Sequence, residues 1–168
     1  MRLLLVSDTH VPLRAKRLPS ELLDEMERAD VVVHAGDWVD APTLDLLEAR
    51  ARRLIGVFGN NDGPELRERL PEVARAELGG LRFGVVHETG PARGREARCA
   101  QRFPDLDVLV FGHSHIPYLL PPASEKEGFT CSRNGATESR CSFHGAMGKG
   151  RYLARCPAGG GSPGCLRE

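Results

Sequence analysis

Side chains that can bind metal ions recur along the first 115 residues, and each group follows directly after a short apolar run. In chain order, the groups are Ser7-Asp8-Thr9-His10, His34-Ala35-Gly36-Asp37, Gly59-Asn60-Asn61-Asp62, His87 and Gly112-His113-Ser114-His115. Successive groups are about 23 to 27 residues apart, close to the length of a strand, a helix and the return to the next strand. The chain therefore offers metal-binding side chains once per structural unit.

Carboxylate, carboxamide and imidazole groups without a thiolate suit divalent ions such as Mn²⁺, Fe²⁺ or Zn²⁺. Asp8 and His10 are two residues apart. We expect them to lie in an extended segment and to point to one side, as we do for His113 and His115. Each pair could then hold one ion. The whole set exceeds the needs of a single ion, and an aspartate shared by two ions about 3.5 Å apart is the arrangement that performs in-line phosphoryl transfer.

Five apolar runs precede these groups and predict the strands of a sheet. They are Leu3 to Val6, Val31 to Val33, Leu54 to Phe58, Leu81 to Val86 and Val108 to Phe111. Unbroken aliphatic runs of this length are typical of strands buried on both faces in an α/β fold. Alternation with helices favours parallel strands. Such sheets bind ligands beyond the carboxyl ends of their strands, where all five groups lie.

Helical patterns separate the first strands. We expect Ser20 to cap a helix whose apolar face runs from Leu22 to Ala29. We expect Pro42 to open a second helix, with an apolar face from Leu44 to Ala51.

A pair of adjacent glycines predicts a β-hairpin. Gly79-Gly80 can supply the positive φ angles of a two-residue turn between strands Val73–Leu78 and Leu81–Val86. Beyond residue 120 the pattern weakens, and only Tyr118 to Leu120 and Arg151 to Arg155 are expected to form the remaining strands.

Other candidate residues are given structural roles. His34 lies within an apolar run and is expected to be a buried, hydrogen-bonded histidine, and His144 has no matching group around it. A predicted helix after His87 carries four arginines, which we interpret as a solvent-exposed basic face, with phosphate binding as the alternative. They are Arg93, Arg95, Arg98 and Arg102.

Composition limits the class of protein. The chain has 168 residues, in which 23 Lys and Arg balance 23 Asp and Glu. This balance excludes binding to nucleic acid or membranes through bulk charge. No apolar run approaches the roughly 18 residues of a membrane helix, so we expect a cytoplasmic protein. Its five cysteines contain no Cys-x-x-Cys pair and are interpreted as free thiols. We expect one domain over residues 1–157 and a flexible tail over residues 158–168.

The order and spacing of the groups resemble the motifs of the calcineurin-like metallophosphoesterases, particularly their small one-domain bacterial and archaeal phosphodiesterases. The motifs are Asp8-x-His10, Gly36-Asp37, Gly59-Asn60-x-Asp62, His87 and Gly112-His113-Ser114-His115. The resemblance covers about residues 1 to 120. It implies an α/β fold of the metallophosphoesterase type, a sandwich of two mixed β-sheets flanked by helices, with a site for two metal ions at one edge.

The same resemblance implies a role for each ligand. One ion would bind Asp8, His10, Asp37 and His115. The other would bind Asp37, Asn60, His87 and His113. Asp62 would hold a neighbouring ligand in place. Mn²⁺ is the expected metal, with Fe, Zn, Ni or Co as alternatives. Asp37, Asn60 and His113 would act in catalysis through a hydroxide that bridges the two ions and attacks the phosphate in line.

Two residues depart from the family pattern. Asn61 stands where the protein phosphatases of the superfamily have a histidine that protonates the leaving group. Without that acid we expect a preference for leaving groups of low pKa, as in aryl or nucleotide-type phosphodiesters, over alkyl phosphomonoesters. Glu88 stands where the family usually has glycine. Its carboxylate could tighten metal binding, orient His87 or restrict anionic substrates, and the sequence leaves these alternatives open.

The sequence therefore favours a metal-dependent phosphoesterase, most simply a phosphodiesterase acting on a small phosphate ester or a nucleotide-type substrate. One alternative is a protein-interaction scaffold with little or no turnover, as in the retromer subunit with this fold. The complete set of seven ligands favours the enzyme. A nuclease is the other alternative, which the zero net charge and the few aromatic residues disfavour. We expect a homodimer and no membrane partner.

Overall fold

The computed structural model describes residues 1–113, 129–133, 139–143 and 152–155. The strands are Leu3–Val6 (β1), Val31–Ala35 (β2), Leu54–Val57 (β3), Val73–Leu78 (β4), Leu81–Val86 (β5), Val108–Phe111 (β6), Phe129–Arg133 (β7), Ser139–Phe143 (β8) and Tyr152–Arg155 (β9). The helices are Ser20–Arg28 (α1), Ala41–Arg50 (α2), Pro64–Arg69 (α3) and Arg95–Arg102 (α4).

The strands form two mixed sheets. The first has five strands in the order β3-β2-β1-β8-β7, and the second has four in the order β4-β5-β6-β9. Strands β1, β2 and β3 are parallel, whereas β8 pairs antiparallel with β1. In the second sheet β4 and β5 are antiparallel, and β5, β6 and β9 are parallel. The expected sandwich of two mixed β-sheets is confirmed.

Three apolar clusters build the layers. Inward-facing residues of both sheets, such as Leu5 and Val33 from the first and Phe83 and Val110 from the second, form the central core. The alternate residues of the first sheet pack against α1 and α2, and those of the second sheet pack with Cys99 of α4. Helices therefore flank the outer faces of the sandwich, and β1, β2, β5 and β6 are covered on both sides.

The predicted hairpin is confirmed. Strands β4 and β5 pair from Leu78 and Leu81 outward. The two turn residues, Gly79 and Gly80, have φ angles of 60° and 80°, the left-handed conformation that a tight two-residue turn requires.

The predicted start of the first helix is wrong in detail. Helix α1 begins at Ser20, with Pro19 in the capping position and no capping hydrogen bond from a side chain. The Ser20 hydroxyl instead donates to Glu21. Helix α2 has a proline in its first turn as predicted, but the residue that caps it is Asp40, whose carboxylate accepts from the amide of Thr43.

The strands that follow β6 were only partly predicted. Strand β9 matches the expected strand at Arg151 to Arg155, but β7 and β8 were not predicted. Their alternation of polar and apolar residues lacks the aliphatic runs that mark the other strands. The expected strand at Tyr118 to Leu120, His144 and the expected tail lie outside the described residues.

Candidate metal centre

The ends of five strands bring six of the seven predicted ligands together. Asp8 and His10 follow β1, Asp37 follows β2, Asn60 follows β3, and His87 and His113 follow β5 and β6. The first four come from one sheet and the two histidines from the other. His115 lies outside the described residues. The candidate site thus straddles the two sheets at the carboxyl ends of their parallel strands.

The segment from Asp8 to His10 is not extended, contrary to expectation. Both residues have left-handed backbone angles, with φ of 55° and 48°. The amide of Asp8 donates to the carbonyl of Gly36, and that of His10 donates to the carbonyl of Asp37, at 2.9 and 3.1 Å. These bonds turn the chain away from the strand direction at Val6. The side chains therefore converge through a strained turn rather than through the alternation of a strand.

Asp37 lies between two groups of ligands. Its Oδ2 is 3.4 Å from Nε2 of His10, and its Oδ1 is 3.4 Å from Nε2 of His87. On the His10 side, Oδ1 of Asp8 lies 4.0 Å from Nε2 of His10. One carboxylate oxygen thus faces each group. A carboxylate placed in this way could bind two ions at once.

On the other side, three electron-rich atoms meet. Nδ1 of His87 lies 2.7 Å from the carbonyl oxygen of Ala35, which fixes the proton on that nitrogen in the neutral ring and leaves a lone pair on Nε2. Nε2 lies 3.0 Å from Oδ1 of Asn60, and Nδ1 of His113 lies 2.8 Å from the same oxygen. Convergence of imidazole nitrogen, amide oxygen and the Asp37 carboxylate is a donor set that fits a divalent cation.

The titration of the central residues follows from these contacts. Burial alone would raise the pKa of the Asp37 carboxyl, but hydrogen bonds from His87 and Asn61 outweigh it and hold the pKa well below its usual range. Burial disfavours protonated His87, yet the Asp37 carboxylate and the Ala35 carbonyl together raise its pKa above the ordinary value. Asp37 is therefore ionised, and its negative charge attracts either a proton on His87 or a metal cation bound in the place of that proton.

Asn61 and Asp62 hold Asp37 in place. The backbone amide of Asn61 donates to Oδ1 of Asp37, and its side-chain amide donates to Oδ2, at 2.9 and 2.7 Å. The Asp62 carboxylate accepts from the amides of Asp37, Val39 and Gly59, at 3.1, 2.7 and 2.7 Å. Asp62 therefore ties the loop after β2 to the loop after β3.

Gly59 is required by the close approach of these two loops. A Cβ atom on Gly59 would lie 2.2 Å from Oδ1 of Asp37 and 2.4 Å from its backbone nitrogen. Both distances are far below van der Waals contact. The glycine of the Gly-Asn-x-Asp motif thus gives Asp37 room beside Asn60.

Besides the role of Asn61 in holding Asp37, sequence reasoning missed two residues that support the ligands. Arg67, on α3, donates to the carbonyl oxygens of Gly59 and Asp62 at 2.9 and 2.8 Å, and its guanidinium lies over the ring of Phe58. Ser7 donates to Oδ2 of Asp8 at 2.6 Å. Ser7 is adjacent to a ligand, which is the sequence signal that could have indicated it. Nothing in the sequence marks Arg67 among the other arginines.

His34 is buried, as expected. Its ring stacks on Trp38 with centroids 3.6 Å apart, and its Nε2 lies 3.2 Å from the hydroxyl oxygen of Thr9. Burial, reinforced by the nearby charge of His87, lowers the pKa of His34 to about 3. His34 is therefore a neutral residue beneath the candidate site at neutral pH.

The interpretation of the four arginines as a solvated face is wrong for two of them. Arg95 is buried, lies over the ring of Phe111 and donates to the carbonyl oxygen of Gly90. Arg98 donates to the carbonyl oxygens of Thr89, Pro91 and Arg93. These two arginines therefore hold the loop that follows His87.

The chain belongs to the calcineurin-like phosphoesterase superfamily, since the model of that domain matches residues 1–136. This family depends on divalent metal ions, in agreement with the donor set described above. The resemblance inferred from the motifs is thereby confirmed.

Individual relatives share part of the chain. A probable metallophosphoesterase of Methanocaldococcus jannaschii is 33% identical over 115 residues, which are 68% of this chain and 58% of that protein. A phosphodiesterase of the same organism is 27% identical over 126 residues, 68% of this chain and 74% of that one. The chain thus spans less than two thirds of the length of the first of these relatives.

Among solved structures, Vps29 of Entamoeba histolytica in complex with Zn²⁺ superimposes with a TM-score of 0.62. It is 25% identical, and the match covers 92% of this chain and 73% of that one. In the part of the chain that the structure describes, every helix is too short or too polar to cross a membrane.

Proposed function

We propose that this protein is a metal-dependent phosphodiesterase that binds two divalent ions, with Mn²⁺ as the first candidate, and hydrolyses a small or nucleotide-type phosphodiester. The observation that carries the proposal is the position of Asp37, with one oxygen facing His10 and the other facing His87. A relative named as a phosphodiesterase and a structural neighbour that binds Zn²⁺ support it.

The metal ligands, the residues that hold Asp37 and the residues that line the adjoining cavity would have different roles in this reaction. Two ions held here would neutralise the charge of a phosphate ester and activate water for in-line attack. Asp37, held by Asn61 and Asp62, keeps the two groups of ligands at a fixed separation. The open side of the site adjoins a cavity of about 270 Å³ lined by Phe58, Asn60 and Glu88 among others. This cavity gives the organic part of the ester a place beside the ligands.

Asn61 sets the preference among esters. Its side-chain amide donates to Asp37, and a carboxamide supplies no acidic proton to a departing alkoxide. We therefore expect turnover of bis-p-nitrophenyl phosphate, whose leaving group has a low pKa, to exceed that of an alkyl phosphomonoester such as glycerol phosphate. Faster hydrolysis of the monoester would contradict this assignment of substrate class.

The test of the function is hydrolysis of bis-p-nitrophenyl phosphate by chelator-stripped protein to which Mn²⁺ is returned. Activity should depend on the metal and fall by at least about a thousandfold in Asp37→Asn. Asp45→Asn, which changes an exposed carboxylate on α2, serves as the control and should retain activity. A protein that binds two ions but hydrolyses no phosphate ester would instead point to the scaffold function.

A further inference from the structure

Glu88 places a carboxylate beside the candidate metal ligands. It follows His87 directly after β5, and its side chain is 52% exposed, whereas that of His87 is 4% exposed. Oε1 of Glu88 lies 3.9 Å from Nδ1 of His113. His87, Glu88 and His113 each offer a ligand atom within 4.8 Å of the other two. The sequence left open whether this carboxylate binds metal, orients His87 or repels anions.

Orientation of His87 is already provided by another group. Nδ1 of His87 lies 2.7 Å from the carbonyl oxygen of Ala35, and this contact fixes the ring. The Glu88 carboxylate is instead directed to His113, on the far side of the cluster. Metal binding and repulsion of anions therefore remain as roles for the Glu88 carboxylate.

Distances favour metal binding. Bonds of about 2.0 to 2.2 Å between an ion and its ligands place two ligands of one ion about 3 Å apart when adjacent and about 4.3 Å apart when opposite. Oδ1 of Asn60 is 2.8 and 3.0 Å from the two histidine nitrogens, which suits adjacent ligands. The 3.9 Å between Glu88 and His113 falls between the two limits, as expected for ligands of the same ion.

Exposure supports the same assignment. Asp37 closes the inner side of this cluster with a side chain that is 2% exposed, while Glu88 lies on the side that faces solvent. Without Glu88, an ion bound by Asn60, His87 and His113 would have its only carboxylate ligand on the buried side. Glu88 would supply a second carboxylate from the solvent-exposed side and add compensating charge.

From these contacts we infer that Glu88 is an additional ligand of the outer ion, the one held by Asp37, Asn60, His87 and His113. The inference rests on the proposed metal centre. Because Glu88 also lines the cavity, a substrate phosphate that reaches the outer ion has to share it with this carboxylate or displace it.

The test is a titration of Mn²⁺ into chelator-stripped protein, with free Mn²⁺ followed by its EPR signal. Glu88→Gln should weaken the binding of one of two ions by at least about tenfold and leave the other unchanged. Glu72→Gln is the matched control. Glu72 lines the same cavity, but its carboxylate pairs with Arg102 at 3.2 Å, so its loss should change neither affinity.

A second variant identifies the ion concerned. In His113→Ala, which already lacks a ligand of the outer ion, adding Glu88→Gln should leave the affinity of the inner ion unchanged. Wild-type affinities for both ions in Glu88→Gln would overturn the inference. Equal weakening in Glu88→Gln and Glu72→Gln would also overturn it, because the effect would then be one of general charge. Uptake of a single ion by the wild-type chain would do the same.

Hydrolysis is not the readout of this titration, so the two proposals can fail separately. If the protein binds two ions, binds one of them more weakly in Glu88→Gln and hydrolyses no phosphate ester, Glu88 remains a ligand and the phosphodiesterase function is wrong. An active enzyme whose Glu88→Gln variant binds both ions normally would retain the function and lose the ligand.

Discussion

The candidate metal centre has two halves that are held in different ways. The inner half consists of Asp8, His10 and Asp37, whose side chains are at most 5% exposed. The outer half includes Asn60, which is exposed, and His113, which is 48% exposed. His87 is buried between the two and fixed by Ala35.

The two halves differ in how far they are ordered before any ion binds. Backbone hydrogen bonds and left-handed turns fix the inner half before any ion binds. In the outer half, the backbone amide of His113 donates to Asp8 and the side chain of Asn60 contacts His87 and His113. The side chains of Asn60 and His113 are nevertheless exposed, and exposed contacts are weak. We therefore expect the inner half to be part of the folded structure and the outer half to become ordered when an ion binds.

The largest expected loss of stability comes from forcing the two loops apart. Gly59→Ala would place a methyl group against Asp37, which should cost about 3 kcal/mol of stability and lower hydrolysis by at least about a hundredfold, because Asp37 must move. Gly63→Ala is the matched control, since a Cβ there meets nothing within 4 Å. Chemical denaturation and rate measurements check both effects. Equal rates in the two variants would contradict this view of the inner half.

Asp62→Asn tests the connection between the halves. The Asp62 carboxylate accepts three backbone N–H bonds, and a carboxamide turns its NH₂ group toward one or more of these donors. We expect a loss of about 2 to 3 kcal/mol in the free energy of unfolding of the metal-free protein. Urea denaturation measures it, with Asp45→Asn as the exposed control. A loss no greater than that of the control would show that the loops are held by other contacts.

His34 tests the inner half through pH. The pKa of His34 falls from an ordinary value of 6.5 to about 3 on folding, so between these values the unfolded chain binds the extra proton. Stability is therefore fully present above pH 6.5 and decreases as the pH falls toward 3, by at most about 1.4 kcal/mol per pH unit from this residue. In His34→Gln the decrease should be shallower. Denaturation curves of the metal-free proteins between pH 4 and 7 test this, and parallel pH profiles would contradict it.

The smallest change in stability is expected in the outer half. His113→Ala removes an exposed side chain, so the metal-free protein should change in stability by less than about 0.5 kcal/mol, although hydrolysis should be lost with the outer ion. Denaturation in the presence of a chelator measures the first quantity. A loss comparable to that of Asp62→Asn would mean that the outer half is as firmly built as the inner one.

The strands that position the site could be predicted well from the sequence, because buried strands of this kind appear in it as aliphatic runs. Strands β1, β5 and β6 begin and end where the runs do, and the polar groups at their ends fall where the sheets meet. Periodicity could not predict the turn at Asp8 and His10, because this turn is held by hydrogen bonds to Gly36 and Asp37, which lie 28 and 27 residues further along the chain. Strands β7 and β8 were not predicted because none of their residues is aliphatic.

Long-range contacts also explain why the positioning role of Asn61 and the burial of Arg95 were not predicted. The hydrogen bonds of Asn61 to Asp37 span 24 residues, and Arg95 is buried by a strand that follows it in the chain. The residues next to Asn61 and Arg95 in the sequence do not indicate these distant partners. Ligand identity, in contrast, follows from residue type and position at a strand end, which a single sequence displays directly.

The most direct test of the account is the EPR spectrum of the protein loaded with two equivalents of Mn²⁺. If Asp37 joins two ions about 3.5 Å apart, their spins should be exchange-coupled in the wild-type protein, and the coupled signal should disappear in Asp37→Asn. Two magnetically isolated ions in the wild-type protein, or the uptake of only one, would contradict the shared carboxylate on which the proposed function rests.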